Sequence, residues 1–161
     1  MLELQHEEAL ELCRELARSR NGADRKERFK KLQLGLLAHM EIEEELFYPA
    51  TAKANPDNQP IVQAYENHAS ERGGLERCEK ALKEDELFHV RIVVLREMLE
   101  QHMRDEREEL FPRALRDFGA AQLEVLGAQM EASFIRALKA ASPAEKLNAL
   151  STSRELRVLS M

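Results

Sequence analysis

The chain has 161 residues, a formal net charge of −6, 34% charged residues and only 5% aromatic residues. This length fits one domain with a sizeable core, and the abundance of Ala, Leu, Glu, Lys and Arg favours helices over strands. No stretch collects basic residues without acidic ones beside them and no apolar run approaches the roughly 18 residues of a membrane span, so neither nucleic acid nor a membrane is an expected partner.

Helical periodicity predicts four helices in the first three quarters of the chain. They run from about Leu2 to Arg18, from a cap at Asp24 to Asn55, from Pro60 to a turn at Glu84-Asp85, and from there to between Arg116 and Gly119. Short connections between helices of this length imply an up-down-up-down four-helix bundle. The predicted fold is therefore all-α, with the bundle occupying residues 1–118.

The remaining residues, 119–161, are predicted to form one or two additional helices. One spans about Ala121 to Ala140, and another is opened by Ser142-Pro143-Ala144-Glu145, a capping box with proline in the first turn. This extension either packs on the bundle or forms the interface of a homodimer, and the sequence does not decide between the two.

The two cysteines, Cys13 and Cys78, have neither the spacing of a metal site nor the density of a disulfide scaffold. Both fall on apolar helical faces and are predicted to be buried thiols. The acidic, amphipathic N-terminus is unlike a signal peptide, so the expected location is the cytoplasm.

An internal repeat carries the polar residues of the predicted core. The segment from His39 to Pro49 aligns without gaps with the segment that starts at His102 and ends at Pro112, and in each a Glu follows the His by four positions. An earlier histidine precedes each segment at a nearly equal distance. The repeated residues are His6, His39 and Glu43 in the first half and His68, His102 and Glu106 in the second.

Residues four apart on a helix lie one turn apart on the same face, so each His-x-x-x-Glu pair can reach one interior point. Burying an unpaired carboxylate in an apolar seam costs several kcal/mol, and a cation is the simplest compensation. Imidazole and carboxylate ligands suit Fe, Zn or Mn. Two carboxylates for four histidines indicate two metals bridged by both glutamates, with open positions that are most useful on iron. His89 lies outside the repeat and is predicted to lie outside the site.

Several neighbouring residues have more than one interpretation. Tyr65 is either a half-buried aromatic or a donor or ligand near the metals, and Glu71 joins the metal shell only if its helix bends at Gly73-Gly74. Met40 and Met103 are predicted to fill the core. A last group is predicted to form a solvated acidic surface: Glu44, Glu45, Glu108 and Glu109.

In these residues the chain resembles the hemerythrin-like, or HHE cation-binding, family, over about Leu2 to Arg116. The signature of that family is a histidine, then His-x-x-x-Glu, then a histidine, then His-x-x-x-Glu on four bundle helices. The resemblance implies a non-haem centre of two iron ions with an oxo or hydroxo bridge. It implies His6 and His39 on one iron, His68 and His102 on the other, and Glu43 and Glu106 as bridges.

The chain departs from the oxygen-carrying hemerythrins, which have a further histidine on the third helix. Here Arg72 follows His68 by four positions, Ala64 precedes it by four, and Arg107 stands where the carriers have an Asp. The prediction is therefore a protein that binds or senses dioxygen or nitric oxide. The alternatives are a di-iron oxidoreductase that consumes peroxide or nitric oxide, and a protein of iron–sulfur repair or iron handling.

Overall fold

The computed structural model describes residues 1–20, 22–54 and 57–140, and within these ranges every regular element is helical. The α-helices are α1 Leu2–Arg18, α2 Gly22–Ile42, α3 Tyr48–Ala54, α4 Gln59–Lys80, α5 Asp85–Asp105, α6 Phe111–Asp117 and α7 Ala120–Ala140. Two π-helical turns, Glu43–Phe47 and Glu106–Leu110, join α2 to α3 and α5 to α6. None of the helices in this part of the chain has the length and apolar composition needed to cross a bilayer.

The all-α prediction is confirmed, and α1 has the predicted bounds. The predicted cap at Asp24 is wrong, because α2 begins at Gly22 and places Asp24 in its first turn. A carboxylate is also favourable there, since it faces the positive end of the helix dipole. The predicted helix at Ser142–Glu145 lies outside the described residues.

Four helical rods form the bundle: α1, α2 with α3, α4, and α5 with α6. Helix α1 packs against α2 and α5, while α4 packs against α5 and α2, so the rods close a ring. Helix α7 packs on α2 and on the first π-helical turn. Helix α4 runs unbroken through Gly74, where an added Cβ would lie 2.9 Å from Leu95 Cδ1. Glycine at this position lets α4 and α5 approach closely.

The interior consists of two apolar clusters with a polar layer between them. One cluster contains Cys13, Cys78, Met40 and Met103, which confirms the prediction that these residues are buried in the core. The other contains Ile42, Tyr48, Tyr65 and Met130, the last from α7. Along the chain, all four repeated histidines fall near the boundary between the clusters.

The end of the bundle away from this layer is closed by the buried side chain of Arg25. Its guanidinium donates to the carbonyl oxygens of Ser19 (3.2 Å) and Leu82 (3.2 Å) and to Asp85 Oδ1 (2.7 Å). It also lies 4.9 Å from the centre of the Phe88 ring. One side chain thus ties together the α1–α2 and α4–α5 connections.

Candidate metal centre

The structure brings all six repeated residues together in the polar layer. Each bundle rod contributes one histidine, and the two glutamates are the first residues of the two π-helical turns. All six are between 0% and 3% exposed. His89 is exposed and its Nδ1 donates to the Ala17 carbonyl oxygen at 2.9 Å, so it lies away from this cluster, as predicted.

The π-helical turns follow from the proline that succeeds each repeat. Pro49 and Pro112 lack an amide hydrogen, and the ring of a proline clashes with the carbonyl group four residues earlier. The preceding amides of Tyr48 and Phe111 instead donate to the carbonyls of Glu43 and Glu106, five residues back. Such wider turns occur often at functional sites.

One half of the cluster is formed by α1 and α2. His6 Nε2 lies 3.0 Å from His39 Nε2, and His39 Nε2 lies 3.1 Å from Glu43 Oε2. Glu106 Oε2 approaches His6 Nε2 to 3.3 Å from across the bundle. These four residues offer ligand atoms that all lie within 4.8 Å of one another.

The other half is formed by α4 and α5. His68 Nε2 lies 3.2 Å from Glu43 Oε2, and His102 Nε2 lies 3.5 Å from Glu106 Oε1. Glu43, His68 and His102 again place ligand atoms within 4.8 Å of one another. Both glutamates therefore reach both halves, which is the arrangement that two bridging carboxylates require.

Tyr48 also lies in the cluster, although it is not among the site residues predicted from the sequence. Its side chain is fully buried, and its hydroxyl donates to Glu106 Oε1 at 2.8 Å and lies 3.1 Å from His68 Nε2. The spacing in the sequence is compatible with this placement. Tyr48 follows Glu43 by five residues, and one π-helical turn brings residues five apart onto the same side of the helix. The hydroxyl of the other tyrosine, Tyr65, donates instead to the Glu44 backbone carbonyl at 3.2 Å.

Three polar side chains hold the outer nitrogens of the histidines. His39 Nδ1 donates to Gln5 Oε1, His68 Nδ1 to Glu44 Oε1, and His102 Nδ1 to Glu71 Oε1, each at 2.8 Å. In a neutral imidazole, a donating Nδ1 leaves the lone pair on Nε2. When they are neutral, all three rings therefore present a lone pair to the centre of the cluster.

The prediction that Glu44 belongs to a solvated acidic surface is wrong. Glu44 is 0% exposed and accepts from Arg72 Nη1 at 2.8 Å as well as from His68. The π-helical turn rotates it inward, and the Arg72 cation compensates its buried charge. Glu45, Glu108 and Glu109 are exposed, as predicted. Glu71 is buried behind His102, and α4 is helical without interruption on both sides of it.

Burial and charge compete at the titratable groups of the cluster. Burial tends to raise the pKa of Glu43, but the charges and hydrogen bonds of His39 and His68 hold it well below its usual value. Burial tends to lower the pKa of His102, and the carboxylates of Glu71 and Glu106 instead raise it well above the usual value. Burial and the charges of Glu106 and Glu43 raise the pKa of Tyr48, which keeps the phenol protonated.

The donor set fits bound metal cations. Glu43 Oε1 is buried and has no hydrogen-bond partner among the described residues, and the facing Nε2 atoms of His6 and His39 need a proton or a cation between them. Glu43 and Glu106 also repel one another at close range. Cations between these groups would coordinate the unpartnered oxygen, bind the facing imidazole nitrogens and remove the repulsion between the two carboxylates.

Two cavities reach the cluster. A polar cavity of about 460 Å³ extends to His102 and Glu106 between walls that include Gln63, Asn67 and Arg113. A smaller, mostly apolar cavity of about 190 Å³ lies between α1, α2 and α7 and ends at His39. The centre is thus buried but can be approached through both polar and apolar surroundings.

Comparison with known proteins agrees with this architecture. A solved structure from Mycobacterium kansasii, described as a hemerythrin HHE cation binding domain-containing protein, superposes with a TM-score of 0.75 at 24% identity. The match covers 86% of this chain and 85% of that one. No curated protein matches the sequence. The sequence model of the family described as Hemerythrin HHE cation binding domain matches residues 1–114, and the chain therefore belongs to that family.

Proposed function

We propose that this chain is a non-haem di-iron protein that binds or senses a diatomic molecule, dioxygen or nitric oxide. The observation that carries the proposal is the convergence of four imidazoles and two carboxylates in one buried layer, with each glutamate reaching both halves. The residues that would hold the metals are His6, His39, Glu43, His68, His102 and Glu106.

Iron bound to this set would supply open coordination positions and a reversible change of oxidation state. The surrounding side chains hold the metal-binding groups in position. Gln5, Glu44 and Glu71 orient three imidazole rings, and Tyr48 presents a protonated hydroxyl beside Glu106. The apolar cavity at His39 suits a small, weakly polar molecule, which supports a diatomic ligand.

The second candidate is an oxidoreductase that consumes peroxide or nitric oxide. The polar cavity favours it, because its walls carry amide and charged groups that suit a hydrogen-bonding substrate and it ends at His102 and Glu106. Tyr48 favours it as well, since a buried phenol beside the metal ligands can deliver a proton.

The proposal is tested by the metal content of the purified protein and by its optical spectrum in oxidised and reduced forms. We expect about two irons per chain and near-ultraviolet charge-transfer bands in the oxidised form. His39→Ala and His102→Ala should each lose metal, whereas His89→Ala, on the surface of α5, should keep it. One zinc per chain, or full iron in both ligand variants, would contradict the proposal.

The two candidate functions differ in turnover. A binding or sensing protein should take up nitric oxide in a ratio fixed by its iron content, with a spectral change that is complete after one equivalent per site. An oxidoreductase should consume many equivalents of peroxide or nitric oxide per chain. Sustained consumption that is lost in His102→Ala but kept in His89→Ala would favour the enzyme.

A further inference from the structure

The two halves of the cluster have matching inner ligands, but the groups behind their histidines differ. His68 and His102, from α4 and α5, each donate from Nδ1 to a buried carboxylate, Glu44 and Glu71 respectively. His39 donates to the neutral amide oxygen of Gln5. His6 Nδ1 is buried and has no hydrogen-bond partner among the described residues.

The repeat makes this difference plain. In the alignment that superposes the ligands, Glu44 corresponds to Arg107 and Glu71 corresponds to Ala9. Arg107 is exposed, and its guanidinium faces Glu3 on the surface. The two halves therefore share their metal-facing residues, while the supporting carboxylates are present behind one pair of histidines only.

A carboxylate behind a metal-binding histidine fixes the orientation of the ring and makes Nε2 a stronger donor. A neutral amide fixes the ring without adding charge, and an unpartnered Nδ1 does neither. We propose that the two metal positions are unequal, with the position formed by His68 and His102 binding metal first and more tightly than the position formed by His6 and His39. The proposal rests on the two-metal centre argued above.

The experiment is an anaerobic titration of the apoprotein with Fe(II) in competition with a chromophoric chelator. We expect two binding steps per chain whose affinities differ by roughly 10–100-fold, the usual effect of such supporting groups. Two steps of equal affinity would overturn the inference and leave the di-iron proposal intact. A single iron per chain would overturn both.

Histidine variants identify which position fills first. His6→Ala should abolish the weaker step and keep one iron at the affinity of the tighter step, while His68→Ala should abolish the tighter step. Loss of the tighter step in His6→Ala would overturn the inference. Circular dichroism of each apoprotein shows whether the variant is folded.

Variants of the supporting residues test the cause. Glu71→Gln should weaken the tighter step by roughly 10–100-fold, and Gln5→Glu should strengthen the weaker one. Glu71 is a cleaner target than Glu44, whose loss would leave the buried Arg72 cation unpaired. Glu66→Gln, an exposed position on the same helix, is the matched control and should change neither step. An unchanged tighter step in Glu71→Gln would overturn the inference.

Discussion

Replacement of Tyr48 by Phe removes one hydroxyl from the centre of the cluster and keeps the ring. The hydroxyl donates to Glu106 Oε1 at 2.8 Å and lies 3.4 Å from Glu43 Oε2. The ring itself contacts Tyr65 and Phe47, so its packing in the apolar cluster should survive the change. The variant therefore isolates the hydrogen bond from the hydrophobic contribution of the side chain.

The expected loss follows from the charge and burial of the acceptor. A hydrogen bond to a charged group contributes about 1.5–3 kcal/mol to stability, and a bond between neutral groups contributes about 0.5–1.5 kcal/mol. Glu106 is 1% exposed and its pKa is held below the usual value, because contacts with His102 and His6 outweigh the effects of burial and of Glu43. The acceptor is therefore a buried carboxylate that carries its charge, and the range for a charged group applies.

The assay is urea unfolding of the apoprotein, with the Tyr65→Phe variant as control. Tyr65 is the second of two tyrosines in the chain, and its equally buried hydroxyl donates to a neutral carbonyl at 3.2 Å. Tyr48→Phe should lose about 1.5–3 kcal/mol of unfolding free energy, and Tyr65→Phe about 0.5–1.5 kcal/mol. Equal losses would show that His6 and His102 satisfy Glu106 without the phenol.

Three further predictions concern Arg25, the two cysteines and the pH dependence of metal binding. Arg25→Met should lower the free energy of unfolding by about 2–3 kcal/mol, because two carbonyls lose a charged donor, and iron content should not change. Burial raises the pKa of Cys13 to about 12 and of Cys78 to about 11, so iodoacetamide at pH 8 should label both only after unfolding, as mass spectrometry can show. The pKa values of His68 and His102 are raised by their carboxylate partners against the effect of burial. Metal must displace these protons, so the apparent Fe(II) affinity should rise with pH above neutrality, by up to about tenfold per proton and pH unit, and a flat profile would contradict this.

The same shifts set the pH dependence of apoprotein stability. A histidine whose folded pKa is raised stabilises the fold below its unfolded pKa of 6.5, and this stabilisation is lost as the pH rises through the folded pKa. Glu43, whose folded pKa is lowered, stabilises the fold above pH 4.5, its ordinary pKa, and this stabilisation is lost as the pH falls through the folded pKa. The apoprotein should therefore be most stable between about pH 4.5 and pH 6.5, where both contributions are present.

The sequence was sufficient for the fold and for the inner residues of the cluster because both depend on periodicity. The helical periodicity of the sequence predicted the four rods, and the spacing of His39 and Glu43 predicted that both residues lie on one helix face. Their roles as metal ligands remain a prediction. The start of α2 was missed, since an acidic residue is favourable both as a cap and within the first turn, and Asp24 does not distinguish the two.

Two residues of the cluster were missed because regular α-helical spacing was assumed beyond Glu43. An α-helix advances 100° per residue, which would turn Glu44 away from the core and leave Tyr48 unrelated to Glu43. The π-helical turn changes this spacing, and it brings Glu44 behind His68 and Tyr48 over Glu106. Pro49 indicates that the regular α-helix is interrupted near this point. A proline can also kink or end a helix, so it does not by itself predict a π-helical turn.

The two π-helical turns give both repeats the same backbone geometry, while the residues that they carry differ. Tyr48 and Phe111 occupy equivalent positions in the repeat, and each contacts the first histidine of the opposite half: Tyr48 lies over His68 and Phe111 stacks on His6 at 6.0 Å. Because the backbone turn is the same in both repeats, both aromatic rings pack against the polar layer. Only Tyr48 carries a hydroxyl, and it is on the side where carboxylates support the histidines. The repeat thus keeps the geometry that gathers the six residues, while differences at single positions make the surroundings of the two halves chemically different.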